Sequence, residues 1–405
     1  MLTFNYKARD TASNKIVKST VQADSEAAAA KLLMAQNIVP LEMTPVGEST
    51  GLLASFGSRV GSKDRVIFTR QLATMLNAGL PLSQCLATVE DQTSNKALKQ
   101  IVGGIIGDVN GGQSLGNAFA KYPNVFNQVY VALVRAGETS GTLDKSLERL
   151  ADQQEHDADQ MSKIKGAMVY PAIVLAVIIG VIIFMLVMLV PQVAALYDEM
   201  HQTLPLATQI LTAVTEFLIH FWWLVIIILV GLIFLGRRWI STDSGLRAWN
   251  TFELNMPIFA SLFRRLYMAR FARTAQTLLA SGVPMLEVMK ISADAVNNIV
   301  VKEEILRGRG KVKNGKPLSE ALSGEDYILP FVPQMIKIGE TSGGIDTMLG
   351  KVADYYDKEV DAAIASISTM IEPILMVCMG GMIVFIIFAV LMPIYSLANA
   401  AQSMQ

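Results

Sequence analysis

Few residues of this chain have the types and spacing that chemistry on a nucleotide would require. A phosphate-binding loop needs Gly-x-x-x-x-Gly-Lys followed by Ser or Thr, because the hydroxyl contributes to the metal site. Here Gly310-Lys311 is followed by Val312, and Gly315-Lys316 is followed by Pro317. The sequence therefore predicts that the chain itself does not hydrolyse nucleotide.

Metal-ligand and nucleophile patterns are equally weak. The best cluster of candidate metal ligands is acidic with one histidine, although a solvated helix face is the better interpretation: Glu155, His156, Asp157 and Asp159. No Ser, Cys or Lys has an evident base nearby. We therefore predict that the chain is not an enzyme, and we assign no catalytic, cofactor-binding or metal-binding residue.

Two glutamates are the most informative acids, because each lies within a five-residue phrase that the chain uses twice. Gly137-Glu138-Thr139-Ser140-Gly141 recurs as Gly339-Glu340-Thr341-Ser342-Gly343. Gly137 or Gly141 can take the left-handed conformation that ends a helix, and Ser140 or Thr142 can cap the next helix. We favour a structural role for Glu138 and Glu340 in the turn, with direct contact to a partner as the alternative.

Other landmarks repeat in the same order and at nearly the same separation. Residues 68–81, FTRQLATMLNAGLP, correspond to residues 271–284, FARTAQTLLASGVP, so that Gly79 and Pro81 match Gly282 and Pro284. In each copy a pair of prolines brackets a long apolar run. The chain is therefore a tandem duplication, and this repeat determines the architecture.

One stretch differs in charge between the copies. Residues 302–316 read KEEILRGRGKVKNGK, whereas their counterpart, residues 99–113, reads KQIVGGIIGDVNGGQ. An exposed helix face is the default explanation for such a basic run. An acidic partner or the anionic inner leaflet is the alternative, with the candidate contact residues Arg307, Arg309, Lys311 and Lys313.

The composition is that of a membrane protein with soluble parts. Of 405 residues, 52% are hydrophobic and 17% are charged, and the mean hydropathy is +0.40. The N-terminus has no apolar core after a basic stretch, so we expect no signal peptide and a cytoplasmic start. The net charge of −1 argues against a protein that binds nucleic acid directly.

Three apolar stretches are long enough to cross a bilayer, at residues 168–190, 217–236 and 371–392. Lys163, Lys165, Arg237 and Arg238 flank the ends that the positive-inside rule retains in the cytoplasm. The sequence therefore predicts a multi-pass protein of the cytoplasmic membrane, with its N-terminus inside and its C-terminus outside. Two parallel copies need one return helix, which explains the odd number of spans.

Four residues at the membrane entrances are candidates for an interface role: Tyr170, Pro171, Glu372 and Pro373. Glu372 occupies the position at which the first copy has Tyr170. A carboxylate near the inner interface can be functional or can anchor the helix in the interface, and the sequence leaves both open. Because the copies differ here, the two exiting spans need not have equal roles.

The fold class that follows is a mainly α polytopic membrane protein. A small N-terminal α/β unit (residues 1–46) has strands near Phe4 to Ala8, Ile16 to Val21 and Ile38 to Met43, with a helix at 27–35. The remaining predicted segments are a linker (47–62), helical bundle 1 (63–167), span 1 (168–190), a short outside loop (191–216), span 2 (217–236), helical bundle 2 (237–370), span 3 (371–392) and a short outside tail (393–405).

The duplicated Phe-x-Arg and Gly-[Leu/Val]-Pro motifs, the Gly-Glu-Thr-Ser-Gly turns and Leu204-Pro205 before the return helix resemble a known family. It is the inner-membrane platform protein of type IV pilus and type II secretion machines, often called the PilC or GspF family. The resemblance covers nearly the whole chain. It implies a platform that couples a separate hexameric ATPase in the cytoplasm to insertion of pilin subunits into a type IV pilus.

The same resemblance implies the partners: the ATPase, pilin or pseudopilin subunits, other inner-membrane assembly proteins, membrane lipid and further copies of the chain in a dimer-based oligomer. The equivalent platform of a type II secretion pseudopilus is the alternative. A small-solute transporter with cytoplasmic domains fits less well, because the spans offer no evident polar pathway. A membrane-bound enzyme lacks a catalytic constellation.

Overall fold

The computed structural model describes residues 2–10, 16–23, 38–45, 60–199 and 206–403. These residues belong to two compact units. One contains the N-terminal strands and Thr93–Gln100, and the other contains Ser62–Gln92 together with the chain from Ile101 onward. Apart from Thr93–Gln100, the second unit holds both copies of the repeat.

The N-terminal strands form an antiparallel sheet in the order β2-β1-β3. They are β1 (Leu2–Asp10), β2 (Ile16–Ala23) and β3 (Ile38–Pro45), where the alternation of apolar and polar residues predicts them. In the central strand, Tyr6 lies opposite Ser19 of β2 and Met43 of β3. The helix predicted at 27–35 and most of the predicted linker lie outside the described residues.

Bundle 1 consists of five helices and the start of a sixth, as the glycine and proline punctuation predicts. They are α1 (Ser62–Asn77), α2 (Leu82–Gln92), α3 (Lys96–Asn110), α4 (Leu115–Ala120), α5 (Gln128–Ser140) and the first part of α6 (Leu143–Phe184). An aromatic cluster fills its core. Phe119 contacts Phe126 and Tyr130 with ring centroids 4.5 and 4.9 Å apart, and Phe68 packs edge-on against it. All four rings are buried.

Bundle 2 repeats this plan after one additional helix. It contains α9 (Asp243–Asn255), α10 (Ala260–Ala280), α11 (Met285–Ala295), α12 (Ile299–Lys313), α13 (Leu318–Leu322), α14 (Phe331–Ser342) and the first part of α15 (Ile345–Ser403). Phe271 is buried as Phe68 is in bundle 1. Aliphatic side chains, Leu322, Ile328 and Val332, are buried where bundle 1 has its other three aromatic rings.

Each bundle ends a helix at the Gly-[Leu/Val]-Pro motif in the same way. Gly79 has φ +82° and Gly282 has φ +80°, the left-handed region that only glycine adopts without cost. The amide of Gly79 donates to the carbonyl of Leu76, and the amide of Leu80 donates to that of Met75, which is the Schellman arrangement. Gly282 and Val283 repeat both bonds, so the repeated glycine has a conformational cause.

The two exiting helices are longer than the predicted spans. α6 continues through Pro171, passes a π-helical turn at Met185–Leu189 and leads into α7 (Val190–Glu199). The return helix α8 (Leu206–Ile240) begins before residue 217, with non-helical backbone angles at Phe221. The predicted loop at 191–216 is therefore largely helical, and α15 is helical to Ser403 where a short tail was expected.

Three helices in the described part of the chain are long and apolar enough to cross a membrane. They lie within Leu143–Glu199, Gln209–Ile240 and Ile345–Phe385. The most apolar window of the return helix has no residue buried against the rest of the protein, which fits a helix surrounded by lipid. The predicted spans at 168–190 and 217–236 fall within the first two of these ranges, and the third range overlaps the predicted span at 371–392 as far as Phe385.

Candidate functional site

The Gly-Glu-Thr-Ser-Gly turn joins α5 to α6 and recurs between α14 and α15. Gly141 and Gly343 end their helices with φ +71° and +76°. Gly137 and Gly339 have helical backbone angles, and their lack of a side chain lets the start of the next helix pack closely against them. A Cβ at Gly137 would lie 2.7 Å from Ser146 Oγ, and a Cβ at Gly339 would lie 2.8 Å from the Cα of Ile345. The turn thus presses the end of one helix against the start of the next.

Both glutamates of the turn reach back to the short helix that precedes α5 or α14. The carboxylate of Glu138 accepts hydrogen bonds from the amides of Leu115 and Gly116, the latter at 2.9 Å. Glu340 accepts from the amides of Leu318 (2.5 Å) and Ser319 (3.4 Å). These amides are among the donors left free at a helix N-terminus, where a negative charge is also favourable. Each carboxylate therefore ties two repeated motifs together across 21 to 23 residues.

The predicted capping of the next helix is wrong. Thr142 occupies the position before α6, but its side chain makes no capping hydrogen bond. Ser140 Oγ instead donates to the carbonyl of Ala136. The first turn of α6 contains Asp144 and that of α15 contains Asp346, so a negative charge lies near each helix start.

The repeated Phe-x-Arg motif also has a structural partner in each bundle. Arg70 of α1 forms ion pairs with Asp152 (2.5 Å) and Glu155 (2.6 Å) of α6. Arg273 of α10 binds Asp354 (2.8 Å) and Asp357 (2.5 Å) of α15 in the same pattern. The hydrogen bond from Arg70 holds the pKa of Glu155 below its usual value. Each arginine thus clamps the first helix of the repeat to the long exiting helix.

A polar seam joins the two bundles along α6. Its contacts run from the end of α10 toward the membrane, and the charged pair Lys163–Asp361 lies 2.8 Å apart at the membrane end. Asp357 is central, because it accepts from Gln160 at 2.5 Å and lies 3.2 Å from His156. The other contacts are Arg149 to the carbonyl of Ala280 (2.6 Å) and Gln153 to Thr274 (3.0 Å).

His156 is the seam residue whose ordinary pKa lies closest to neutral pH. The hydrogen bond to Asp357 raises the pKa of His156, against the opposing effect of burial. Burial also opposes the ionisation of Asp357, but hydrogen bonds from His156 and Arg273 hold the pKa of Asp357 below its usual value. Of the four side chains considered as metal ligands, Glu155 pairs with Arg70 and His156 pairs with Asp357. In the described residues, no group of three His, Cys, Asp or Glu is arranged to hold a metal ion.

Most residues of the predicted basic patch on α12 bind other residues of bundle 2. Arg307 and Lys311 bind Glu325 at 2.6 and 2.8 Å, and Arg309 donates to the carbonyl of Leu286 at 2.8 Å. Burial opposes the ionisation of Glu325, but hydrogen bonds from Lys311 and Arg307 keep its pKa low. Lys313 is exposed in the last turn. Arg307, Arg309 and Lys311 therefore have partners within bundle 2 and Lys313 is exposed, so contact of this patch with an acidic partner or with lipid stays a prediction.

The predicted membrane-entrance residues lie on uninterrupted helices. Pro171 is inside α6 and Pro373 is inside α15, so neither proline ends its helix. Tyr170 and Glu372 are exposed on these helices. The two copies therefore present different groups, a phenol and a carboxylate, at equivalent points.

A groove of about 930 Å³ brings repeat motifs of both copies together. Its wall in bundle 1 is α5 with Thr139 and Ser140 of the turn. Its wall in bundle 2 is the Gly282-Val283-Pro284 motif with the start of α11. Sequence reasoning singled out these motifs one by one, but it contained no signal that the first copy's turn faces the second copy's loop.

Comparisons with known proteins agree with the duplication. The family model described as type II secretion system (T2SS), protein F, matches twice, at residues 68–191 and 271–393, and the model of that protein's N-terminal domain matches residues 1–44. The chain is 38% identical to a type IV pilus assembly protein PilC of Thermus thermophilus over 98% of both chains. It is 32% identical to a type II secretion system protein F of Vibrio cholerae over 98% of this chain and 99% of that one.

Proposed function

Since the chain belongs to the family of type II secretion system protein F, we propose that it is the cytoplasmic-membrane platform of a type IV pilus assembly machine. The observation that carries this proposal is the match along nearly the whole chain to a protein named for pilus assembly, at 38% identity. Relatives named type II secretion system protein F are 30 to 34% identical. A secretion platform is therefore the alternative function.

The long helices suggest how a platform transmits motion. α6 begins inside bundle 1 and continues without a break into the first apolar span, and α15 does the same from bundle 2. With a rise of about 1.5 Å per residue, the 59 residues of α15 extend over roughly 90 Å. Because a continuous helix resists twisting and bending, rotation of a bundle would turn the attached span.

The partners follow from this role. We propose that a separate hexameric ATPase docks on the bundles and supplies the energy, so that this chain acts as a non-enzymatic coupling component. Pilin subunits would leave the bilayer beside the spans, with other inner-membrane assembly proteins and a second copy of the chain nearby. Arg237 and Arg238 at the end of α8 support a cytoplasmic location for both bundles, with the C-terminus outside.

Deletion of the gene in its host tests the function directly. We expect surface filaments, counted by electron microscopy, to disappear and to return with a plasmid copy. Loss of secreted proteins from the medium with filaments intact would instead support the secretion platform. If neither filaments nor secreted proteins change, the platform assignment fails.

Insertions at the membrane boundary test the coupling. Two alanines inserted after Lys165 turn the span by roughly 200° relative to bundle 1, whereas seven residues keep the phase within about 20°. We expect the two-residue insertion to abolish filaments and the seven-residue insertion to retain more of them, at equal protein level in the membrane. Equal loss in both variants would contradict coupling through a continuous α6.

A further inference from the structure

Helix α9 is a short element that neither copy of the repeat accounts for. It begins at Asp243, and only two residues separate it from the end of the return helix α8 at Ile240. Both family matches leave it out, since they cover residues 68–191 and 271–393. Its own contacts and its exposed surface therefore indicate its role.

The turn between α8 and α9 is tight and fixes α9 to the end of the span. The amide of Thr242 donates to the carbonyl of Trp239 at 3.0 Å, and Thr242 Oγ1 accepts from the amide of Gly245 at 3.2 Å. A Cβ at Gly245 would lie 1.9 Å from the carbonyl oxygen of Trp239. Only glycine permits this approach, so the first turn of α9 lies directly against the last turn of α8.

One face of α9 is held by bundle 2. Asn250 is 5% exposed, and its side-chain oxygen accepts from the amide of Ile299 at 2.7 Å. Leu254, four residues later on the same face, is fully buried. Arg247 also binds Glu303 of α12 at 2.8 Å. The helix is therefore clamped between the span and bundle 2, and its outward face has a defined direction.

The outward face carries a row of large apolar side chains at a spacing of three. Leu246, Trp249 and Phe252 are 37%, 42% and 52% exposed, and the rings of Trp249 and Phe252 lie 6.0 Å apart. Residues spaced three apart share one side of a helix. Three such side chains on a water-facing surface need a partner that covers apolar groups.

The surroundings identify the partner as lipid. Arg237 and Arg238 in the last turn of α8 mark the level of anionic headgroups. Trp239 is 54% exposed beside them, and Trp223 is 49% exposed at the other end of the span. These tryptophans are 16 positions apart in the sequence, roughly 24 Å along a helix, which places them near the two interfaces of a bilayer. The apolar row of α9 begins seven residues after Trp239.

We propose that α9 lies at the cytoplasmic surface of the membrane and inserts Leu246, Trp249 and Phe252 into the boundary between headgroups and acyl chains. This lipid-binding face anchors bundle 2 through α9, and bundle 1 has no equivalent helix in the described residues. The inference rests on the return span and its orientation. It does not depend on whether the machine builds a pilus or a secretion pseudopilus.

Fluorescence of Trp249 in bilayers tests the proposal. The full-length protein is reconstituted into vesicles of phosphatidylethanolamine and phosphatidylglycerol, after replacement of Trp222, Trp223 and Trp239 by Phe. Brominated phospholipids quench indoles inside the lipid, and acrylamide quenches those in water. We expect the bromolipids to quench Trp249 strongly with little effect of acrylamide, and a blue-shifted emission. A matched control carries Ser244→Trp, on a polar exposed face of α9, with Trp249→Phe.

The control indole should show the opposite pattern, quenched by acrylamide alone. Ready quenching of Trp249 by acrylamide would overturn the proposal. So would shielding from both quenchers, because a second copy or another protein would then cover the face. If the triple replacement fails to fold, the difference in quenching between wild type and Trp249→Phe isolates the same indole with one conservative change, and the same outcomes apply.

Discussion

The two bundles keep the same scaffold contacts but differ in the chemistry of one contact, between α3 or α12 and the turn that follows the next short helix. In bundle 1 the Tyr122 hydroxyl lies over Gly104, so that a Cβ at Gly104 would be 2.3 Å from it, and Lys121 binds Asp108 at 2.6 Å. In bundle 2 the residues that correspond to Gly104 and Asp108 are Arg307 and Lys311, and both bind Glu325.

The comparison of the two bundles shows which contacts the fold requires. The carboxylates that cap the short helices and the arginines that clamp the exiting helices are present twice, because each bundle needs both contacts to hold its hairpins. The contact between α3 or α12 and the turn after the next short helix, in contrast, tolerates either a ring over glycine or an ion pair. Residues shared by the copies therefore support the scaffold, and the differences allow each bundle its own surface.

We expect the largest loss of stability from substitutions in the two cores, and a greater loss in the aromatic core of bundle 1 than in the aliphatic core of bundle 2. Phe119→Ala should lower the free energy of unfolding by about 3–5 kcal/mol, and Leu322→Ala at the equivalent position by about 2–5 kcal/mol. Phe119 should cost more, because its ring also loses contacts with three other rings. Thermal unfolding of the purified protein in detergent measures both, with the exposed Leu80→Ala as control. A shift for Phe119→Ala no larger than the control's would contradict an aromatic core.

The shared glutamates should behave alike. Glu138→Gln and Glu340→Gln each replace a charged acceptor of two amides by a neutral one, at a cost of about 1–3 kcal/mol in unfolding free energy. The exposed Glu148→Gln on α6 is a matched control. Variants that unfold like wild type but no longer bind the ATPase would show that the carboxylates contact a partner instead.

Much of this architecture could be predicted from the sequence, because it depends on local patterns. The glycine turns, the order of helices and the three apolar spans follow from residues close together in the chain. The partners of Glu138 could not be predicted, since Leu115 and Gly116 lie 22 to 23 residues away and are met only after folding. The pairing of Arg307 and Lys311 with Glu325 and the seam contacts of Asp357 depend on tertiary structure in the same way.

The helical conformation of residues 191–199 was also missed, for a different reason. The predicted span ended at residue 190, just before Pro191. Pro191 instead lies in the first turn of α7, where a helix does not need the backbone N–H that proline lacks. The preceding π-helical turn at Met185–Leu189 carries the chain from α6 into α7. A proline in an apolar run was therefore a poor guide to the boundary of this segment.

Substitution of the two clamping arginines should affect the two bundles differently. Only Arg273 of bundle 2 binds a residue of the seam, Asp357. Arg273→Ala should lower the free energy of unfolding by about 1–3 kcal/mol, since it leaves the half-buried Asp357 with fewer donors. Arg70→Ala should cost about 0–1 kcal/mol, because Asp152 and Glu155 are exposed. Hydrogen exchange along α6 should rise near Gln160 in the Arg273 variant alone. Equal exchange in both variants would remove the distinction between the clamps.

The smallest expected effect is a pH dependence that only bundle 1 contributes, because the residue of bundle 2 that corresponds to His156 is Lys358. Below the pKa of a free imidazole, near 6.5, His156 carries its proton in both the folded and the unfolded chain, and its contact with Asp357 stabilises the seam fully. Because the folded pKa is raised, this stabilisation is lost as the pH rises through the folded value. At the acid end the contact weakens as the pH falls through the lowered pKa of Asp357.

Since the imidazole is 40% exposed, solvent screening limits its contribution to under about 1 kcal/mol. The comparison of wild type with His156→Gln, from about pH 5.5 to about pH 8.5, isolates it from the other titrating groups. We expect the wild type to have the higher unfolding temperature at the acid end of this range and the difference to shrink toward the alkaline end. A difference that grows with pH would mean that neutral His156 makes the better contact, and the charged pair with Asp357 would then not be what holds this part of the seam.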